Sequence, residues 1–118
     1  MTRDSGERAE KLAEQTLRKK GLTTLCRNYR CRWGEIDLVM REGSCLVFVE
    51  VRYRHAGALV SAAESVSRTK RLRLIRAGRH YLMKHQKSVE RPVRFDVVAI
   101  SGSDAENEIA WLKDAFRP

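Results

Sequence analysis

The residues best placed to do chemistry lie in one acidic hairpin, G-E-I-D-L-V-M-R-E-G-S-C-L-V-F-V-E-V-R, residues 34–52. Gly43-Ser44 suits the central pair of a type II′ turn. Glu42 then faces Cys45, and the same register sets Asp37 opposite Glu50 and Glu35 opposite Arg52. Directly opposed side chains share a face of the sheet, with Cβ atoms about 4.5–5.5 Å apart. Asp37 and Glu50 are thus expected side by side, flanked on their face by Val39 and Phe48. The other face pairs Ile36 with Val51, Leu38 with Val49 and Met40 with Val47, all apolar. A slip of one residue would break both patterns.

Adjacent carboxylates repel, so a shared proton, a basic side chain or a cation must offset them. A hard divalent ion such as Mg²⁺ is an economical answer, because it takes oxygen ligands and keeps several waters. It could also bind a phosphodiester oxygen and activate a water. The other reading is a cross-strand charge ladder of Glu35, Asp37, Glu50, Arg52 and Arg54. A third carboxylate is Glu10, which falls 100° from Ala9 on a helix, at the margin of an apolar stripe. Glu7 and Glu14 point further away. His55, just past Arg54, reads either as a site residue or as a surface one.

These residues need a scaffold, and the pattern supplies one. Residues 6–20 read as a helix, with Ala9, Leu12, Ala13, Thr16 and Leu17 on one face and Gly21 placed to end it. Leu22–Asn28, Glu35–Glu42 and Cys45–Arg54 read as strands. A second helix starts at Ser65 or Ser67, either of which can cap it, and runs to about His85. Its buried stripe is Val66, Leu74, Ala77, Gly78, Tyr81 and Leu82. Arg94–Ser101 is a further strand, and Glu108–Leu112 a last edge strand. A helix between two strands implies a parallel crossover. The expectation is a single α/β domain over 1–118, a mixed sheet flanked by helices, in the order α-β-β-β-α-β(-β).

The spacing of Asp37 and Glu50-Val51-Arg52 resembles the D…(D/E)-x-K signature of the PD-(D/E)xK nuclease superfamily. The longer pattern resembles the YraN family over about residues 6–116. It comprises Gly6-x-x-x-Glu10-x-x-Ala13, Asn28-Tyr-Arg30, G-E-I-D-L-V, L-V-F-V-E-V-R-Y-R, Ser67-x-x-Lys70 and Arg94-F-D-V-V-A-Ile100. That family is similar in predicted fold to archaeal Holliday junction resolvases. The resemblance implies a restriction-endonuclease-like core, with Asp37 and Glu50 as ligands of Mg²⁺ or Mn²⁺ and Glu10 as an additional carboxylate. It also implies an endonuclease acting on DNA phosphodiesters, on branched or single-stranded DNA in recombination or repair, and it leaves a homodimer open. The chain departs from the superfamily at Arg52, which stands where the catalytic lysine is expected. Arginine stays protonated and cannot act as a general base, although it can hold a phosphate. Lys70 is the candidate substitute, its other reading being an exposed member of a basic face. The competing functional reading is a nucleic-acid-binding module that keeps the fold and has weak or no catalysis.

Charge supports a polyanionic partner. The 118 residues hold 24 Lys or Arg against 15 Asp or Glu, a net +9. From Ser67 to Lys87 there are eight cations (Arg68, Lys70, Arg71, Arg73, Arg76, Arg79, Lys84 and Lys87) and no acid. A solvated helix usually mixes signs, so phosphate contact explains the imbalance better. Six to eight such contacts would weaken DNA binding by roughly 10³-fold or more between 50 and 200 mM salt. Arg27, Arg30, Arg32 and Trp33 precede the hairpin as further binding candidates. Trp33 can stack on an unpaired base or form a lid on the core. Trp111 and Phe116 read as packing, and Asp96 as structural, paired with an arginine.

Other classes fall away. The sequence has no apolar run of membrane-spanning length and no signal-peptide core. Cys26, Cys31 and Cys45 are an odd number without C-x-x-C spacing, which argues against zinc and disulfides and for reduced thiols in the cytoplasm. No Gly-rich phosphate loop or nucleophile elbow appears.

Overall fold

Ala9, Ala13 and Leu17 recur at four-residue intervals and bury one side of a helix, α1 (Arg3–Lys19). Gly21, at φ 102°, ends it in a Schellman turn. Gly21 N donates to Arg18 O (3.0 Å) and Leu22 N to Leu17 O (3.1 Å). The strands β1 (Thr23–Cys31), β2 (Gly34–Glu42) and β3 (Cys45–Arg54) follow, then the helix α2 (Arg68–His85), β4 (Val93–Gly102) and β5 (Asn107–Phe116). The computed structural model describes residues 3–54, 65–85, 91–102 and 107–118. His55 and Lys87 lie outside the described residues.

The strands form one sheet in the order β1-β2-β3-β4-β5. Only β3 and β4 pair in parallel, joined by the crossover that contains α2, and the other pairs are antiparallel. The fold is the expected α/β mixed sheet in the order α-β-β-β-α-β-β. α1 packs on one face with Leu38, Met40, Val47, Val49, Val51, Val98 and Ile100. α2 packs on the other with Val39, Phe48, Phe95 and Val97. β3, covered on both faces, is accordingly an almost unbroken apolar run. Among the described residues, no helix is long and apolar enough to cross a membrane, and the three cysteines are free.

Two boundaries differ from the sequence pattern for physical reasons. β1 continues to Cys31 although Asn28 interrupts it at φ 51°. β5 continues to Phe116, past Asp114 at φ 53°. Asp96, fully buried, holds that end: its carboxylate accepts bonds from Arg94, from Trp111 Nε1 (2.9 Å) and from Asp114 N (2.9 Å). Asp96 is thus structural and paired with an arginine. Trp111 also spends its indole N–H there.

The height of α2 above the sheet is set at Gly78. A Cβ there would lie 3.1 Å from both Phe48 and Phe95. Gly78→Val is expected to lower stability in urea unfolding by about 1–3 kcal/mol through overpacking. An unchanged midpoint would mean that the two rings are not a fixed floor for the helix.

Candidate active site

The β2–β3 ladder keeps the expected register from Glu42↔Cys45 to Leu38↔Val49 and then stops. Gly43, at φ 59°, makes the turn. Beyond Leu38, β2 stays with β1, placing Ile36 opposite Tyr29 and Glu35 opposite Arg30. Where β2 and β3 part, Asp37 Oδ2 accepts the backbone N–H of Val51 at 2.8 Å, in place of a strand carbonyl. Asp37 and Glu50 flank this split. The expected pairing of Glu35 with Arg52 does not form, because the ladder has ended. Glu35 instead lies 3.6 Å from Arg30 Nε.

The split coincides with a reset of side-chain alternation. Ile36 and Val39 both pack on the α2 side, and so do Cys26 and Tyr29 on β1. Residues three apart in a regular strand face opposite ways. The left-handed backbone of Asn28, a conformation that asparagine tolerates, lies alongside Asp37 and absorbs the change. Ile36 therefore leaves the face of Leu38 and Met40, contrary to the simple alternation.

Glu50 is only 4% exposed, and its Oε2 has no hydrogen-bond partner. Lys70 Nζ stands 3.5 Å from that oxygen, an ion-pair distance without hydrogen-bond geometry. Burial pushes the Glu50 carboxyl up to about 8, helped by a hydrogen bond with Asp37 and by its charge, against the pull of Lys70 and Arg52. Ser67 Oγ accepts Lys70 N (3.1 Å), so Ser67 caps α2 and aims its first turn at the site. From the other face comes Glu10, raised to about 7 by burial first, then by Asp37, Glu35 and Glu7. With its amide oriented to satisfy both neighbours, Asn28 donates to Glu10 Oε1 (2.7 Å) and Glu35 Oε1 (2.9 Å). Asn28 was visible in the sequence only through the Asn-Tyr-Arg run. Its role as a bridge needs the fold.

Other candidates are distributed more widely. Arg27 is drawn to Glu14, with Nε at 2.8 Å from Oε1, and Thr24 donates to the same carboxylate. Glu14 is therefore buried against β1 rather than pointing away, because α1 lies along that strand. Glu14 and Arg27, with Glu7, Glu10, Lys11, Asn28 and Leu38, line a cavity of about 410 Å³ beside the carboxylates. On α2, Arg68, Arg73, Arg76 and Arg79 are exposed. Arg71 turns inward, donating to Val66 O (3.0 Å) and lying over Phe116. Trp33 is half-buried against the α2-side core, with Arg32 and Arg76 over its ring.

The family model described as "Uncharacterised protein family UPF0102" matches residues 9–100. The chain belongs to the UPF0102 family. A UPF0102 protein of Nitrosococcus oceani is 48% identical over 115 residues, covering 98% of this chain and 93% of the relative. One from Saccharophagus degradans is 49% identical over 113 residues, covering 96% and 92%. One from Nitrosomonas europaea is 50% identical over 113 residues, covering 96% and 93%.

In this UPF0102 chain the carboxylates suit a hard divalent cation by chemistry. Their donors are all oxygen, they repel one another when ionised, and Glu50 Oε2 is buried without a hydrogen-bond partner. Among the described residues, no three His, Cys, Asp or Glu side chains converge closely enough to hold an ion. Asp37 and Glu50 could thus supply two protein ligands, with water filling the remaining positions and Glu10 beyond.

The electrostatic tension has a measurable cost. Between its ordinary 4.5 and about 8, Glu50 is protonated in the folded protein and ionised in the unfolded chain. Stability is therefore present below about pH 4.5 and is lost as pH rises through about 8. Glu50→Gln, which mimics the protonated form, is expected to gain on the order of 1–3 kcal/mol at pH 8 and little at pH 4.5. Thermal melts at the two pH values read this directly. Destabilisation at pH 8 would mean that ionised Glu50 holds the fold together.

Proposed function

We propose that this UPF0102 protein is a divalent-metal-dependent endonuclease acting on phosphodiester bonds of DNA, with branched or single-stranded DNA as the substrate class. The observation that carries the reading is the Asp37–Glu50 pair at a strand split, with Glu50 buried, one of its carboxylate oxygens lacking a hydrogen bond, and a lysine at 3.5 Å. Asp37 and Glu50 would hold Mg²⁺ or Mn²⁺, with Glu10 reaching the ion through water. When bound, the ion supplies Lewis-acid activation of the phosphoryl group and of the attacking water.

The chain's own residues do the rest. Asp37 is held by Val51 N, so its free oxygen keeps a fixed direction. Lys70 approaches Glu50 from the capped start of α2 and is placed to neutralise charge developing on a phosphoryl oxygen. Arg52 lies two residues beyond Glu50 and lowers its pKa, so its charge reaches the same point. It cannot take a proton, which leaves it an electrostatic role only. The exposed arginines of α2 hold the backbone.

Arg52 also favours the second reading, a binding module whose catalysis is weak or lost. The two separate in one assay, cleavage of labelled duplex, single-stranded, flap and four-way-junction DNA with Mg²⁺, Mn²⁺ or EDTA. The nuclease reading expects metal-dependent cutting, reduced by about 10²-fold or more in Asp37→Asn and by about 10-fold or more in Lys70→Ala. Asp37→Asn is expected to keep or tighten DNA binding, since a negative charge is removed. Cutting by Asp37→Asn at the wild-type rate would overturn the site. Binding without cutting under every metal would favour the module, and Arg52→Lys would then test whether the missing lysine is the reason.

A further inference from the structure

Arg32 and Arg76 come from different elements, the β1–β2 turn and the outer side of α2. Their guanidinium carbons nonetheless lie 4.4 Å and 5.1 Å from the centroid of one ring, that of Trp33. Glycine at residue 34 serves the backbone of the turn, at φ 139°, rather than its packing: a Cβ there would meet Arg73 Cβ at 3.9 Å, in ordinary contact. Trp33 itself is anchored against the α2-side core.

Gathering two like charges on one ring works against their mutual repulsion. Neither arginine has a carboxylate partner among the described residues. α2 carries no acid to supply one. A guanidinium lying over an aromatic face keeps its N–H edge free, and that fork matches the oxygens of a phosphate. Holding the side chains on the ring also removes rotamer freedom before any ligand arrives.

We propose that Arg32 and Arg76, held on Trp33, form a preorganised clamp for a backbone phosphate of the bound nucleic acid, with Trp33 as the positioning residue and not a platform for a base. The proposal rests on the reading of α2 as a nucleic-acid surface and adds where the strand runs. Arg76 is six residues beyond Lys70, about 9 Å along the helix. The clamp therefore grips the backbone a short step from the reacting phosphate, on the α2 side. The opposite approach is lined by residues of both signs, Glu7, Glu10, Glu14, Lys11 and Arg27, and offers no all-cationic run like that of α2.

The test is DNA binding by fluorescence anisotropy in EDTA, with labelled single-stranded and duplex oligonucleotides over a range of salt. Arg32→Ala/Arg76→Ala changes only exposed side chains. It is expected to reduce the log–log salt slope by about 2 and to weaken binding on the order of 10- to 100-fold near 0.1 M salt. Lys19→Ala/Lys20→Ala removes the same charge from the end of α1 and is expected to change the slope little. Trp33→Leu is expected to lower the slope on single strand and duplex alike, while Trp33→Phe keeps it. An unchanged slope in the arginine pair, or an equal fall in the lysine control, would overturn the clamp. Loss confined to single strands at constant slope in Trp33→Leu would make Trp33 a base platform and overturn its positioning role. No binding by the wild-type protein would overturn the underlying reading as well.

Discussion

Glu50 sits on the central strand of the sheet, buried, with one carboxylate oxygen unsatisfied and Asp37 beside it. An apolar residue would fill this position at less cost, since β3 is otherwise a core strand covered on both faces. The surrounding structure is arranged around that misfit. β2 and β3 part at this point, Asp37 replaces a strand carbonyl for Val51, and Asn28 takes a left-handed backbone alongside. α1 brings Glu10 from near its middle and α2 brings Lys70 from its first turn, to the gap from opposite faces. The strain is local, and the core beyond Leu38 and Val49 is ordinary. Concentrating electrostatic tension in one place against a well-packed background is the usual signature of a functional site.

The two faces of the sheet then differ in charge. On the α1 side, Glu7, Glu10 and Glu14 line the cavity together with Lys11 and with Arg27, which pairs with Glu14. On the α2 side, the outward arginines have no acidic neighbours on their helix. Under the proposed function a polyanion is favoured along α2, whose cations have no acid among them, over α1, which mixes both signs.

Much of this was legible because it follows from period and turn chemistry. The hairpin register follows from Gly43-Ser44 and from two agreeing faces, and β3 spans the expected Cys45–Arg54. The crossover and the stripe Leu74, Ala77, Gly78 and Tyr81 followed from helical spacing. What escaped depends on single backbone angles and on which neighbour a helix meets. Asn28 reads as a strand end, because a left-handed residue inside a strand has no periodic signature. The consequence was Ile36 assigned to the wrong face and Glu35 paired with Arg52. Glu14 was placed outward because its partner, Arg27, comes from a strand whose position against α1 no periodicity supplies. β5 looked short because Lys113 and Asp114 are polar, yet Asp114 N is held by Asp96.

The claim on which the account turns is that Asp37 and Glu50 together form a divalent-cation site. Calorimetric titration of Mn²⁺ into the nucleic-acid-free protein addresses it without reference to substrate or turnover. The account predicts one ion per chain, with binding lost in both Asp37→Asn and Glu50→Gln and retained in Arg76→Ala. Binding of Mn²⁺ to either carboxylate variant as tightly as to the wild type, or no binding to the wild type at millimolar Mn²⁺, would contradict it.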